Sequence, residues 1–241
     1  MTENTVYVKR YARNREELRK VQEHEVWRYA GCRGGTDEQE DSLKDLLKDL
    51  IRECMPIFRY DVCYIRFPLE WKETDGMPVL PFASDSRALA GCLQGSREAV
   101  MMAATVGIEA DRKIARFERT DQTKALLLQA IGAERVEALC DLFCDEIRQQ
   151  ESLRGNDITA RFSPGYGDLP LETQREFVKL LDCSRQIGIS LNASLLMSPT
   201  KSVTAIFGIR PGSAGCSKEA QKGCSVCTAR DCLYRKNSVV R

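Results

Sequence analysis

From Gly107 to Gln149 the chain reads as helix throughout, with breaks expected at Thr120 and Gly132. The last piece sets Val136, Leu139, Cys140, Phe143, Cys144 and Ile147 at helical spacing on one stripe, so it must bury that face against a large apolar surface. Strands supply such a surface. Tyr60–Phe67 carries Val62, Tyr64, Ile65 and Phe67, and Glu98–Val106 reads as a strand buried on both faces. Further strands are expected at Val6–Val8, Ile158–Ser163, Ile189–Asn192 and Ser202–Ile209. Asn14 with Glu17 three residues on forms a capping-box pattern that opens a helix toward Tyr29, ended by Gly31, Gly34 and Gly35. Thr36 caps the next helix, whose Leu43, Leu46, Leu47, Leu50 and Ile51 share a face and which Pro56 stops. Asp168 is expected to cap a helix over Leu171–Asp182. Helices and strands are interspersed without strict alternation, which predicts an α+β or mixed-sheet fold rather than a doubly wound one.

The 241 residues allow one large domain or two small ones. Thirty-six Lys and Arg against 35 Asp and Glu leave no global field to hold a nucleic acid or an anionic membrane. No apolar run is long enough to cross a bilayer, and the N-terminus lacks the basic start and apolar segment of a secretory signal, so a cytoplasmic location is expected. The single histidine, His24, lies between glutamates on what reads as a solvated helix face; imidazole-rich metal centres are ruled out.

Without an export signal, the 11 cysteines read as reduced thiols. Cys140 and Cys144 fall on the apolar stripe and read as core. Cys216, Cys224, Cys227 and Cys232 cluster near the C-terminus, and the central Cys-x2-Cys pair is a usual way to offer two sulfurs to one metal. Zinc and an iron–sulfur cluster both suit four thiolates, and the nearby Lys218, Lys222, Arg230, Arg235 and Lys236 would offset the negative charge of either. Gly, Ser and Lys enrich the linker-like segment Arg210–Gly223. The expected organisation is therefore a domain over residues 1–210, its first 56 residues largely helical, followed by a cysteine-rich tail over 211–241.

The stretch from Arg161 to Pro170 reads as a small-molecule turn. With a strand's period of two, Ile158, Ala160 and Phe162 face one side and Thr159, Arg161 and Ser163 the other, so Arg161 leaves on the polar face. Its fork matches a carboxylate. Pro164 and Gly165 force a bend where a ligand could approach the main chain closely, with Tyr166 available to pack over it. A surface turn with an ion-paired arginine is the alternative that spacing leaves open.

Arg161-x-x-x-Gly165-Tyr166, then Ile187-Gly188 and the segment Met197–Val203, resemble the S-adenosylmethionine-binding activation domain of cobalamin-dependent methionine synthase. The segments Val106–Arg112 and Ala130–Ala138 are similar to the same family, and the Arg-Tyr-x-Gly pattern at Arg28–Gly31 extends the likeness. The resemblance implies a twisted, mostly antiparallel sheet with flanking helices, and a free-standing activation protein serving a separate corrinoid protein. It implies that Arg161 binds the methionine carboxylate, that Ser163 and Gly165 offer backbone contacts, that Tyr166 lines the site, and that Glu137 meets the ligand ammonium, with Asp141 one turn on as its rival. The family's tyrosine-bearing segment beyond the Ser-Val strand is replaced here by Gly212–Cys216.

The implied function is that of a methyltransferase component: binding S-adenosylmethionine and supporting reductive methylation of cob(II)alamin on a partner methionine synthase or other corrinoid protein. A reductant such as flavodoxin or ferredoxin would supply the electron. The alternative is a non-catalytic, metal-stabilised module that docks on a corrinoid protein.

Overall fold

The computed structural model describes residues 5–31 and 37–212. Gly34, Gly35 and Thr36, and all four cysteines of the terminal cluster, lie outside the described residues. In chain order the elements are β1 (Tyr7–Tyr11), α1 (Glu16–Arg19), α2 (Glu23–Ala30), α3 (Asp37–Cys54), β2 (Tyr60–Pro68), β3 (Glu70–Trp71), β4 (Pro78–Val79), α4 (Arg87–Leu93) and β5 (Glu98–Thr105). There follow α5 (Ile108–Thr120), α6 (Gln122–Ser152), β6 (Asn156–Ile158), α7 (Gln174–Leu180), α8 (Cys183–Ile187), β7 (Ser190–Leu191), β8 (Met197–Ser198) and β9 (Ser202–Pro211). Five strands form an antiparallel sheet in the order β1-β2-β5-β9-β6, with helices on both faces. This is the expected α+β class with a mostly antiparallel sheet.

Alternation along the strands divides the core in two. Val62 of β2, Val100, Met102 and Ala104 of β5, and Ala205 and Phe207 of β9 face α6 and its neighbours. Cys63, Ile65, Ala99, Met101, Ala103 and Ile206 face α4, α7 and α8. Because both faces are covered, β5 carries an unbroken apolar run rather than a polar–apolar alternation. Among the described residues no helix is long and apolar enough to cross a membrane.

Two helical expectations change for tertiary reasons. The break at Thr120 is present, and Asp121 in extended conformation caps α6 by accepting from the Lys124 amide at 3.0 Å. The break at Gly132 is not: α6 continues for 31 residues, about 46 Å. Gly132 serves close packing instead, since a Cβ there would lie 2.9 Å from Cγ of Lys201, whose stem lies across it. The helix predicted from Asn14 to Tyr29 is interrupted, and α1 starts after Arg15 with no side-chain cap. Arg135 of α6, fully buried, donates to the carbonyls of Leu18 at 2.7 Å and Lys20 at 3.0 Å, while Glu134 accepts from the Gln22 amide at 3.1 Å. These contacts fix the chain between α1 and α2 in the extended conformation at Lys20 and Gln22 that separates the two helices.

Asp168 also differs from expectation. It caps α4, not the helix after it: its carboxylate accepts from the Arg87 amide at 2.8 Å, the Ala88 amide at 3.2 Å and the Ser86 hydroxyl. These contacts pin the 163–170 turn to α4.

Gly208 of β9 faces the end of α4, where a Cβ would fall 2.0 Å from Oγ of Ser96 and 2.7 Å from its Cβ. Gly208→Ala is therefore expected to lower stability by about 1–3 kcal/mol through overpacking. The measurement is the urea midpoint; an unchanged midpoint would contradict so tight a fit.

Candidate functional site

The direction of Arg161 follows from a count of residues. β6 pairs Ile158 with Ile209, whereas Phe162 pairs with Ile206 through reciprocal bonds of 2.8 Å. Four steps along one strand thus oppose three along the other, which is a β-bulge. Thr159 occupies it, its amide donating to the Gly208 carbonyl and its Oγ1 accepting from the Gly208 amide, both at 2.9 Å. The bulge inverts the alternation: Ile158 packs in the α6-side core and Phe162 against the opposite one. The sequence reading of Ile158, Ala160 and Phe162 on one face is corrected accordingly, and Arg161 points onto α6.

There it meets two carboxylates one helical turn apart. Nη2 of Arg161 donates to Oε2 of Glu137 at 2.9 Å and Nη1 to Oδ1 of Asp141 at 2.7 Å. Nη1 also lies 3.9 Å from Sγ of Cys144, so the apolar stripe of α6 forms the floor beneath the guanidinium. The Arg161 side chain is 19% exposed, Glu137 34% and Asp141 57%, so the cluster opens to solvent on the Asp141 side. Burial opposes the Arg161 charge, but the Asp141 and Glu137 carboxylates that it contacts outweigh burial and raise its pKa. Burial in turn pushes the Cys140 and Cys144 thiols up, so both stay protonated and inert. Tyr29 of α2 is shifted up to about 12 by burial and by the Glu137 carboxylate. The sequence reading set Asp141 against Glu137 as rivals for a ligand ammonium; here both accept from Arg161.

The turn beyond is closed by its own main chain. The Gly165 amide donates to the Leu169 carbonyl at 2.9 Å, and the Tyr166 amide to the Ser163 carbonyl at 3.2 Å. Gly165 sits at φ +88°, a left-handed position that favours glycine, and a Cβ there would lie 3.3 Å from Leu171. The Gly165 N–H is thus already used. The Ser163 amide and hydroxyl and the Gly165 carbonyl make no hydrogen bond among the described residues. Tyr166 is 68% exposed at the tip of the turn. His24 is exposed beside Glu25 at 3.5 Å, the solvated position expected of it. A separate surface depression lined by Trp71, Gly76, Arg87 and Gln94 lies along α4 and includes none of the residues the sequence singles out.

A five-stranded antiparallel sheet sandwiched by helices, with a guanidinium–dicarboxylate cluster beside a bulged edge strand, sets the class of domain. The family model described as "Vitamin B12 dependent methionine synthase, activation domain" matches residues 93–216, more than half of the chain. The chain belongs to this family. Its fold is also similar to a crystal structure of the MetH reactivation domain bound to AdoHcy, with a TM-score of 0.63 and 14% identity over 88% of this chain and 80% of that one.

Arg161 is partly covered and its carboxylates partly exposed, so the cluster's net contribution lies between that of a surface pair and that of a buried one. Arg161→Ala is expected to cost about 1–2 kcal/mol of stability and leave the protein folded. Thermal denaturation checks this; loss of the folded state would make the arginine a structural strut.

Proposed function

We propose that the chain binds S-adenosylmethionine at the Arg161 cluster and supports reductive methylation of cob(II)alamin on a partner methionine synthase or corrinoid protein. One observation carries the reading: a guanidinium whose two arms already hold carboxylates, in a chain of the activation-domain family. An amino-acid zwitterion fits such a cluster by exchange. Its carboxylate takes a position on the Arg161 fork, and its ammonium takes up the Glu137 carboxylate so released, so no charge loses its partner. The Ser163 amide and hydroxyl and the Gly165 carbonyl are the polar groups of the turn left for the rest of the ligand, with Tyr166 at its rim. The AdoHcy in the similar crystal structure supports the same ligand class.

The reaction consumes one electron and one S-adenosylmethionine per cobalamin and yields methylcobalamin and S-adenosylhomocysteine. The carbon–sulfur bond breaks with its electron pair passing to sulfur, and the cobalt–carbon bond forms. No proton moves, so the chain's own residues need only hold and orient the sulfonium ligand. A low-potential one-electron donor of the flavodoxin or ferredoxin type supplies the reducing equivalent. In the proposed organisation residues 1–210 form the ligand-binding unit. Cys216, Cys224, Cys227 and Cys232 of the 211–241 tail hold zinc or an iron–sulfur cluster; among the described residues no group of three or more His, Cys, Asp or Glu is arranged to do so.

Isothermal titration is expected to show binding of S-adenosylmethionine that weakens by about 1.5–3 kcal/mol, tenfold or more, in Arg161→Ala. A methylcobalamin spectrum is expected only when protein, ligand, cob(II)alamin-loaded partner and reductant are all present. Ligand binding and docking without methylation would leave the chain a binding module. Metal analysis of the full chain is expected to find stoichiometric zinc or iron, lost when Cys224 and Cys227 are both changed to Ser; a metal-free protein would remove the tail from the account.

A further inference from the structure

The Arg161 cluster has one carboxylate more than its guanidinium can neutralise. Glu137 and Asp141 each hold one arm of Arg161; of the cations on neighbouring positions, Arg148 is taken by Asp145 and, at 3.8 Å, by Asp157, and Arg28, 4.2 Å over the Tyr29 ring, is paired with Glu25. Tyr29, next to Glu137, adds no positive charge. When a zwitterion enters, its carboxylate and ammonium cancel, and the surplus negative charge of the protein remains. Glu137 is the less exposed carboxylate and stands beside Tyr29; Asp141 is on a shorter side chain at the open edge of the cluster. A charge in that position faces solvent and acts on a ligand only at short range, where salt screens it.

We infer that Asp141 is a specificity-determining residue, the surplus carboxylate that favours the sulfonium ligand over the neutral thioether left after methyl transfer. This rests on the proposed S-adenosylmethionine site. S-adenosylmethionine carries one net positive charge and brings the cluster to neutrality. S-adenosylhomocysteine carries none and leaves it negative. Loss of the methyl group therefore removes the attraction at Asp141 and weakens the hold on the product, without a change in the Arg161 clamp that both ligands share.

The experiment titrates both ligands into the full chain as wild type, Asp141→Asn, Asp141→Glu and Asp145→Asn, at low and moderate salt. Wild type is expected to prefer S-adenosylmethionine, with a preference that shrinks as salt rises. Asp141→Asn is expected to weaken S-adenosylmethionine by up to about fivefold and to leave S-adenosylhomocysteine unchanged or tighter, since freeing an arm of Arg161 helps either carboxylate. Asp141→Glu is expected to restore the preference, and Asp145→Asn, already paired with Arg148, to change it little. If Asp141→Asn shifts both ligands by the same factor, or wild type shows no preference, the charge role of Asp141 is overturned while the ligand site stands. If wild type binds neither ligand, the site reading itself fails and takes this inference with it.

Discussion

Helix α6 is the element to which the rest of the chain is fastened. Its apolar stripe packs on the sheet, with the Phe143 ring 5.0 Å from Tyr64 and 6.4 Å from Phe207. Its polar residues then each hold a different segment. Glu134 and Arg135 bind the stretch between α1 and α2. Glu146 accepts from Lys9, Tyr11 and Arg15 and so ties down β1 and the chain after it. Glu151 accepts from Arg66 of β2 at 2.7 Å and from Asn156 of β6 at 2.9 Å. Glu137 and Asp141 hold Arg161 in the middle of this series. A helix buried on several sides needs its charged residues partnered, and many of those partners come from neighbouring segments.

This arrangement suits a chemistry of positioning. Arg161 reaches α6 only because the bulge at Thr159 turns it there, and the turn that follows is fixed at its far end by Asp168 on α4. The proposed site is therefore held from both sides by packed elements rather than left on a free loop, which limits the reorganisation a ligand must impose. The buried thiols beneath Arg161 lower its exposure without competing for protons.

Much of this was legible in residue order. β2, β5 and β9 follow their apolar runs, α5 and α6 part at Thr120 and Asp121 as read, and Arg161, Glu137 and Asp141 could each be singled out. What periodicity could not convey was the effect of contacts between distant residues. Gly132 reads as a helix breaker, whereas its role is to admit Lys201, 69 positions away in sequence. The break after Arg19 depends on the buried Arg135. Asp168 reads as the cap of the helix that follows it because a cap's partner is sought locally, whereas α4 precedes it by some eighty residues. The bulge is the clearest case: one extra residue opposite β9 reverses which side Arg161 leaves from, and a period-two pattern carries no sign of an insertion until the partner strand is in place.

The most direct measurement is a crystal structure of the chain with S-adenosylmethionine bound. The account predicts the ligand carboxylate within about 2.7–3.2 Å of the Arg161 guanidinium nitrogens, Glu137 shifted from the arginine to the ligand ammonium, and the methyl group facing outward past the 163–166 turn. A ligand bound elsewhere, with Arg161 still gripping Glu137 and Asp141, would contradict it.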